Sequence, residues 1–293
     1  MAAQAGDTHF PIAGFDALPP DDMARRAEDV GVAKAGLPGS KLLPLAVLAG
    51  AFIAMGALFS TTATAGTSEL AFGVTRLVAG LTFSLGLILV VVAGAELFTG
   101  NNLVVMAWAG RRVTTARLPW IWLLVYLGNF AGAIATAGLV YLARQYELGG
   151  GAVAEQAVAI GVAKTSLDFG QAVVLGALCN ALVCMAVWLT YSARTTTDRI
   201  LAVVPPIAAF VAAGFEHSVA NMYFIPFALF VKSDAGALAE VGGNVDTSAL
   251  TWGAFLLDNL VPVTLGNLIG GTLMVGAVYW FVYLRVDRPG VSA

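Results

Sequence analysis

The chain has 293 residues, of which 59% are hydrophobic and only 11% are charged. Ordinary soluble domains carry about 25% charged residues, and the mean hydropathy of this chain is +0.84. The composition therefore excludes a soluble globular domain and predicts an integral membrane protein. The net charge of −3 gives no sign of a polyanion partner, and we expect no nucleic acid.

The first 40 residues form a polar segment, expected to be a tail outside the membrane. Charged side chains occupy this segment where a cleavable signal peptide would need an apolar stretch, so no signal peptide is predicted. Residues 20–36 follow two prolines and predict a short surface helix with a weak apolar face of Met23, Ala27 and Val30. This helix either tethers the tail to the membrane surface or gates a pore.

Six apolar runs are long enough to cross a bilayer, which takes about 17–25 residues. They predict an all-α polytopic protein with six transmembrane helices, at residues 42–66, 77–109, 118–143, 170–193, 200–231 and 254–284. The second and fifth runs are too long for one span and contain polar residues, which predicts broken helices. The expected organisation is a tail over 1–40, a membrane domain over 41–285 and a C-terminal tail over 286–293.

The placement of basic residues predicts the orientation in the membrane. With the N-terminus inside, eleven of the 15 Lys and Arg residues fall in inside segments. The outside segments then hold Arg76, Arg144, Lys164 and Lys232. This bias predicts a multi-pass protein of the plasma (inner) membrane with both termini in the cytoplasm.

Matching polar marks recur in matching runs. The second run contains AELFTGN (95–101) and the fifth contains FEHSVAN (215–221), so each has a Glu followed five residues later by an Asn. The third and sixth runs contain LGNFAGA (127–133) and LGNLIGG (265–271). The chain therefore reads as two three-span halves. Because each half has an odd number of spans, the second half is inverted relative to the first, a pattern typical of transporters.

The predicted breaks indicate where a solute binds. Unwound backbone is tolerated in a membrane only where it lines protein or a water-filled cavity. Helices that restart at the two breaks would direct free N–H groups and positive dipole ends toward one centre, which suits an anion. The carboxylates of Glu96 and Glu216 are interpreted, together with Asn101, as structural ties for the loops. The alternative is that both carboxylates line the pore.

The motifs AELFTGN, CNALVCMAVWLTYSAR, GFEHSVANMYFIP and NLVPVTLGNLIGG resemble those of the formate/nitrite transporter family, and the resemblance extends over about residues 40–285. It implies an aquaporin-like fold of six helices built from an inverted repeat, with broken second and fifth helices. It also implies a homopentamer with one pore in each protomer. The implied substrates are formate, nitrite, hydrosulfide or small organic acids, with formate preferred here.

The resemblance also assigns roles to particular residues. It implies a central pore histidine at His217, a loop threonine at Thr99, an outer-vestibule lysine at Lys164 and a pore asparagine at Asn221. It places the apolar constrictions of the pore at Phe83, Leu87, Leu97, Phe98, Val183 and Phe210.

Ordinary structural roles remain alternatives for several of these residues. Phe83 and Phe210 are also compatible with ordinary packing between helices. Thr99 lies in a stretch that is also typical of a turn. Lys164 precedes a span, where an interfacial anchor is common. His217 is the only histidine in a predicted span, and it adjoins a break, which favours a pore role.

Two energies favour a protonated substrate. Burying a bare carboxylate costs of order 20 kcal/mol in the idealised limit, whereas protonating one with a pKa near 3.9 at pH 7 costs about 4 kcal/mol. An anion attracted by Lys164 would therefore cross the apolar constrictions as the neutral acid. The proton comes either from His217, whose residue type titrates near neutrality, or from vestibule water. Protons are accordingly an expected second partner.

Rival functions lack their sequence marks. A water or glycerol channel would carry Asn-Pro-Ala at the breaks, and an ammonia channel would carry paired pore histidines. An intramembrane enzyme would need a nucleophile or a metal cluster. Cys179 and Cys184 are interpreted as packing residues that point to different helix faces and cannot pair, and no G-x-S-x-G is present. We expect no catalytic activity, metal or cofactor.

Overall fold

The computed structural model describes residues 17–234, 236–237 and 246–285. The regular secondary structure of these residues is entirely helical. The predicted C-terminal tail, 286–293, and the first 16 residues of the predicted N-terminal tail lie outside the described residues. The principal helices are α1 (Pro20–Gly36), α2 (Gly39–Thr64), α3 (Phe72–Ala93), α4 (Val105–Ala109), α5 (Arg117–Leu142), α6 (Ala152–Thr165), α7 (Phe169–Ser192), α8 (Thr196–Ala213), α9 (Ser218–Ser233) and α10 (Ala254–Tyr283).

Six helices of the described chain are long and apolar enough to cross a membrane, namely α2, α3, α5, α7, α8 and α10. The prediction of an all-α protein with six membrane-crossing helices is confirmed. The last helix, α10, is not uniform, because wide π-helical turns occupy Ala254–Leu260 and Ile269–Ala277.

Two glycines end α3 and α8 at corresponding places. Gly94 (φ +80°) and Gly214 (φ +77°) adopt the left-handed conformation, which ends a helix at little cost only for glycine. After Gly94 the chain continues as a short 3₁₀ helix, Gly100–Val104, that leads into α4. After Gly214 the chain restarts as α9 at Ser218. The long second and fifth apolar runs of the sequence each contain one of these interruptions.

Glycines set the closest helix crossings. A Cβ added at Gly132 of α5 would lie 1.9 Å from the carbonyl oxygen of Val47 in α2. A Cβ added at Gly270 of α10 would lie 2.1 Å from the carbonyl oxygen of Ala177 in α7. Only glycine permits this approach, so α2–α5 and α7–α10 form two backbone-to-backbone pairs. These pairs flank the two interruptions.

The N-terminal helix α1 packs beneath the first interruption. Met23, Ala24 and Ala27 are buried and pack in a cluster that includes residues of the 3₁₀ helix and α4. Arg112, in the loop after α4, donates hydrogen bonds to Glu28 and Asp29 of α1, at 3.0 and 2.6 Å. The predicted apolar face therefore contacts protein, and polar bonds hold the helix in place.

Candidate functional site

A carboxylate, an amide and an ammonium group meet at the first interruption. The Glu96 carboxylate accepts hydrogen bonds from Asn101 Nδ2 and Lys34 Nζ, each at 2.8 Å. Lys34 also donates to Asn101 Oδ1 at 2.8 Å. Glu96 is 6% exposed, so its charge is compensated within the protein. We call Lys34, Glu96 and Asn101 the first tie.

The second interruption carries the same groups. The Glu216 carboxylate accepts hydrogen bonds from Lys164 Nζ at 2.7 Å and from Asn221 Nδ2 at 2.6 Å. Asn221 Nδ2 also donates to Asn259 Oδ1 at 2.7 Å, and Asn259 Nδ2 donates to the carbonyl oxygen of Lys164 at 2.9 Å. We call Lys164, Glu216 and Asn221 the second tie.

Lys34 was not singled out by the sequence analysis, although a signal was present. The tetrapeptide GVAK occurs at residues 31–34 near the end of α1 and again at 161–164 near the end of α6. Each helix precedes the first span of its half. The repeat therefore begins before the membrane spans, and it supplies each glutamate with its own lysine. The carboxylates of Glu96 and Glu216 each accept hydrogen bonds from a lysine and an asparagine side chain.

A second pair of asparagines braces the backbone at the two interruptions. Asn129 of α5 and Asn267 of α10, from the two LGN motifs, are fully buried, and each makes three hydrogen bonds to main-chain groups. Asn129 accepts from Phe98 N (2.8 Å) and donates to Ala46 O (2.7 Å) and Glu96 O (2.9 Å); Asn267 accepts from Ser218 N (2.9 Å) and donates to Gly176 O (2.8 Å) and Glu216 O (3.0 Å). The bonds to residues 96, 98, 216 and 218 satisfy backbone groups that the interruptions leave free. The bonds to Ala46 O and Gly176 O fix each asparagine to the neighbouring helix, α2 or α7.

His217 stands at the start of α9 and contacts the other half of the chain. Its Nδ1 accepts a hydrogen bond from the backbone N–H of Ala220 at 3.0 Å, so the imidazole caps the helix. Its Nε2 lies 2.9 Å from Thr99 Oγ1. His217 is 3% exposed and Thr99 is fully buried. The residue at the corresponding place in the first half is Leu97.

Buried polar contacts connect Thr99 and the adjoining 3₁₀ helix to α7. The Cys184 thiol of α7 donates to the carbonyl oxygen of Thr99, with 3.4 Å between sulfur and oxygen. Asn180, one turn earlier, donates to Asn102 Oδ1 at 2.7 Å. Both cysteines are free and buried, and Cys184 thus has a specific bond in addition to its packing. The Asn of the CNALVC stretch was the available signal for this contact.

Two cavities lie on either side of the Thr99–His217 contact. The first, of about 250 Å³, is lined by Lys34, Glu96, Leu87 and Leu97 among others. We call it the α1 cavity, because residues of α1 form part of its wall. The second, of about 290 Å³, is the α6 cavity, and Lys164, Glu216, Phe83, Phe210 and His217 are in its lining. The Phe83 and Phe210 rings meet edge to face with centroids 5.7 Å apart.

The remaining predicted site residues lie away from the cavity walls. Phe98 and Val183 are buried, but neither is in the lining of the two cavities described. The Phe98 ring packs against Tyr126 instead, with centroids 5.0 Å apart. Asn221 is fully buried in the second tie, where its position matches that of Asn101.

Six membrane-crossing helices and two cavities separated by a buried polar contact define a multi-pass membrane transport protein. Residues 21–281 match the family model described as "Formate/nitrite transporter". The chain belongs to the formate/nitrite transporter family, and it is a transport protein rather than an enzyme. The family resemblance expected from the sequence motifs is confirmed.

Relatives and solved structures agree with this assignment. The chain is 44% identical to "Formate channel FocA" of Escherichia coli (strain K12) over 274 residues, which cover 92% of this chain and 96% of the relative. It is 37% identical to "Formate channel FocA" of Haemophilus influenzae over 263 residues, 89% and 93% of the two chains. A structure described as "Pentameric formate channel with formate bound" superposes with a TM-score of 0.78, at 40% identity, over 84% of this chain and 98% of that one.

Among the described residues, no group of three or more His, Cys, Asp or Glu side chains is placed to hold a metal ion. The arrangement offers instead one buried hydroxyl–imidazole pair, two compensated charge clusters and apolar side chains between them. Such a site can exchange hydrogen bonds with a small polar solute.

Proposed function

We propose that this protein carries small monovalent anions, formate foremost, through a pore within each protomer. The observation that carries the proposal is the buried contact between Thr99 and His217, which lies between the two cavities. The family membership and the 44% identity to a formate channel support formate as substrate. Nitrite and hydrosulfide, of similar size and charge, are the alternative substrates of the same pore.

The proposed path joins the α1 cavity to the α6 cavity past apolar side chains. Leu87 and Leu97 face the first cavity, and Phe83 and Phe210 face the second. A formate ion would lose its hydration between them, at an idealised cost of order 20 kcal/mol for a bare carboxylate. Protonation at pH 7 costs only about 4 kcal/mol for a carboxylate with a pKa near 3.9. We therefore propose that formate crosses this segment as formic acid.

The geometry of His217 supports a proton source other than the imidazole. Since Nδ1 accepts the Ala220 N–H, the neutral ring carries its proton on Nε2 and donates it to Thr99 Oγ1. The hydroxyl proton of Thr99 is then available to a passing carboxyl group. A second ring proton would have to replace the helix-capping bond at Nδ1. We accordingly assign the proton to vestibule water and a hydrogen-bonding role to the Thr99–His217 pair.

The two ties hold the interrupted backbone in this scheme. Lys164 was predicted to attract anions at the outer mouth, and its ammonium group is bonded to Glu216. That carboxylate offsets much of the attraction for an anion. We propose that Lys164 and Lys34 act chiefly within the ties, and that Glu96 and Glu216 do not carry protons.

We further propose that the protein is a homopentamer in the plasma membrane with both termini in the cytoplasm. A pentameric relative superposes over 98% of its own length, and the bias of basic residues supports the orientation. In this orientation the α1 cavity faces the cytoplasm and the α6 cavity faces outward.

Flux into proteoliposomes tests the proposed function. Purified protein should accelerate formate entry into the vesicles, and this entry should become faster as pH falls toward the pKa of formic acid. Glycerol should enter at the background rate. Nitrite and hydrosulfide, compared with formate at equal concentration, rank the substrates. Glycerol flux without formate flux would contradict the proposal, and native mass measurement of a monomer or trimer would contradict the pentamer.

A further inference from the structure

The α1 and α6 cavities are formed by corresponding positions of the two halves. An offset of 130 residues relates Lys34 of α1 to Lys164 of α6, and an offset of 120 relates Glu96 to Glu216. The same offsets relate other wall residues, such as Val30 to Ile160 and Gly94 to Gly214, which line their respective cavities. The two cavities can therefore be compared wall position by wall position.

The comparison isolates a difference in charge. Arg26 of α1 and Arg199 of α8 line the α1 cavity, whereas the corresponding residues of the α6 cavity are Gln156 and Ala79. The α1 cavity thus carries two guanidinium groups at positions where the α6 cavity is neutral. The arginine that does line the α6 cavity is Arg76.

The arginines also differ in their hydrogen bonds. Arg76 donates to the carbonyl oxygens of Val211 and Ala212 at the end of α8, so its guanidinium group is already hydrogen-bonded to the backbone. Arg26 and Arg199 are only partly exposed, and within the described residues neither guanidinium group has a hydrogen bond or an ion pair to a protein group. Their donors are available to a ligand that enters the cavity.

We propose that Arg26 and Arg199 form an anion-collecting site in the α1 cavity, for small planar anions with two acceptor oxygens. A guanidinium group presents paired N–H donors that match a carboxylate, and nitrite offers the same two-oxygen edge. The site lies before the apolar stretch at Leu87 and Leu97, so it holds the anion in its charged form. This inference rests on the proposed function, since it names where that function's substrate is first bound.

The site acts on one face of the membrane only. A binding site at one mouth cannot change the equilibrium between two compartments, because it stabilises the same bound anion whichever way transport runs. It does lower the concentration at which transport from its own side is half saturated. Formate flux from the α1 side should therefore saturate at lower concentration than flux from the α6 side.

The test replaces each of the two arginines of the α1 cavity with the residue found at the corresponding position of the α6 cavity. Arg26→Gln and Arg199→Ala each install the residue of the corresponding position. Arg25→Gln is the matched control, because Arg25 is the exposed neighbour of Arg26, is bonded to Asp21 and Asp22 and is outside the cavity wall. Proteoliposomes captured through an N-terminal affinity tag have the α1 side outward, and uncaptured vesicles supply the opposite orientation.

For each of the two variants, we expect half-saturation by formate from the α1 side to rise about 1.5- to fivefold, the range for one lost charge contact in a partly exposed site. Half-saturation from the α6 side and the value for Arg25→Gln should stay unchanged. Equal changes on both faces, or no change on either, would overturn the inference.

A measurement on the unmodified protein needs no variant. Raising the ionic strength with an impermeant salt should raise half-saturation more on the α1 side, because screening weakens the extra positive charge there. The same salt response on both faces contradicts the site even if a variant fails to assemble. Formate flux in the unmodified protein separates the proposed function from the proposed site. If there is no formate flux, the proposed function is contradicted. If there is flux with the same half-saturation on both faces, only the site is contradicted.

Discussion

The two interruptions have nearly the same scaffold and different central residues. Each has a glycine in the left-handed conformation, a Lys–Glu–Asn tie and a bracing asparagine with three main-chain bonds. At the position after the glutamate, one half has Leu97 and the other has His217. The hydrogen bond to Thr99 is therefore made from one side only. The glycine, the tie and the bracing asparagine therefore occur in both halves, whereas the Thr99–His217 contact occurs once.

The scaffold has to be complete in both halves, because a buried charge without a partner is far more costly than a missing contact at the surface. Breaking a buried ion pair by removing one partner costs about 3–5 kcal/mol. By comparison, removing a partner from a neutral buried hydrogen bond costs about 1–3 kcal/mol. These magnitudes order the experiments that can test how equivalent the halves are.

The largest expected effect is the loss of a tie. Glu96→Ala and Glu216→Ala should each destabilise the folded protein by about 3–5 kcal/mol, because Lys34 or Lys164 is left without its carboxylate. Thermal unfolding followed with size-exclusion chromatography measures both. Similar losses would show that the two halves contribute equally to stability.

The matched controls are Glu96→Gln and Glu216→Gln, which keep an acceptor oxygen and should assemble with a smaller loss. If an alanine variant assembles at normal stability and instead changes transport or ion selectivity, its carboxylate acts on the substrate and the assignment as a tie is wrong.

The next effect concerns the residue in which the halves differ. His217→Leu makes the second interruption resemble the first, and it removes both the Thr99 contact and the cap of α9. A buried hydrogen-bond partner is worth about 1–3 kcal/mol, and a barrier raised by that amount would decrease formate flux roughly 5- to 150-fold. Flux in proteoliposomes between pH 5 and 8 measures the change.

His217→Asn separates the two contributions, because asparagine is itself a good helix cap but does not reproduce the imidazole contact. It should restore stability and leave flux reduced. Since water is the proposed proton source, the slope of flux against pH should persist in His217→Asn. A variant that keeps its rate and loses the slope would identify His217 as the proton donor.

A smaller difference distinguishes how the two ties are anchored. The second tie is bonded to Asn259 of α10, whereas in the first tie the Asn101 carbonyl accepts from Trp122 Nε1 of α5 at 3.0 Å. Asn259→Ala and Trp122→Phe should each cost about 1–2 kcal/mol. Hydrogen exchange should increase at residues 214–220 in the first variant and at residues 94–101 in the second. Increased exchange in both segments for either variant would show that the halves open together.

The smallest expected effect is at Cys184, whose thiol bonds to the Thr99 carbonyl. Cys184→Ala removes a weak donor and should lower formate flux by about twofold or less, in line with the low end of hydrogen-bond contributions. Cys184→Ser restores an O–H donor at the same atom and should recover the rate. If serine and alanine behave alike, the thiol serves only as packing.

Much of the architecture is readable from the sequence because membrane helices are marked by the length of apolar runs. The lengths of the apolar runs predict the six spans and the interruptions. The spacing of the motifs predicts that Glu96 and Glu216 occupy corresponding positions in the two halves. His217 was identified for the same reason, since one titratable residue stands out in an apolar stretch. The structure places it beside Thr99, and its role in the pore stays a prediction.

Other features depend on distances between residues far apart in the chain. Lys34 lies 62 residues from Glu96, in a helix whose composition resembles an exposed segment, and spacing alone did not connect them. The bond from Cys184 to Thr99 spans 85 residues. The asparagine at 221 matched a pore role by motif, whereas its fully buried position in the second tie depends on Asn259, which only the fold brings near.

The glycine crossings of α2 with α5 and of α7 with α10 have a consequence for bilayer mechanics. Where Gly132 faces the Val47 carbonyl, and Gly270 the Ala177 carbonyl, main chain touches main chain. No side chain separates the helices at these two glycines, so we expect each pair to move as one unit under lateral pressure. A thinner or thicker bilayer would tilt a pair without separating its helices. Formate flux should therefore be nearly independent of lipid chain length, which reconstitution into lipids of graded thickness would measure.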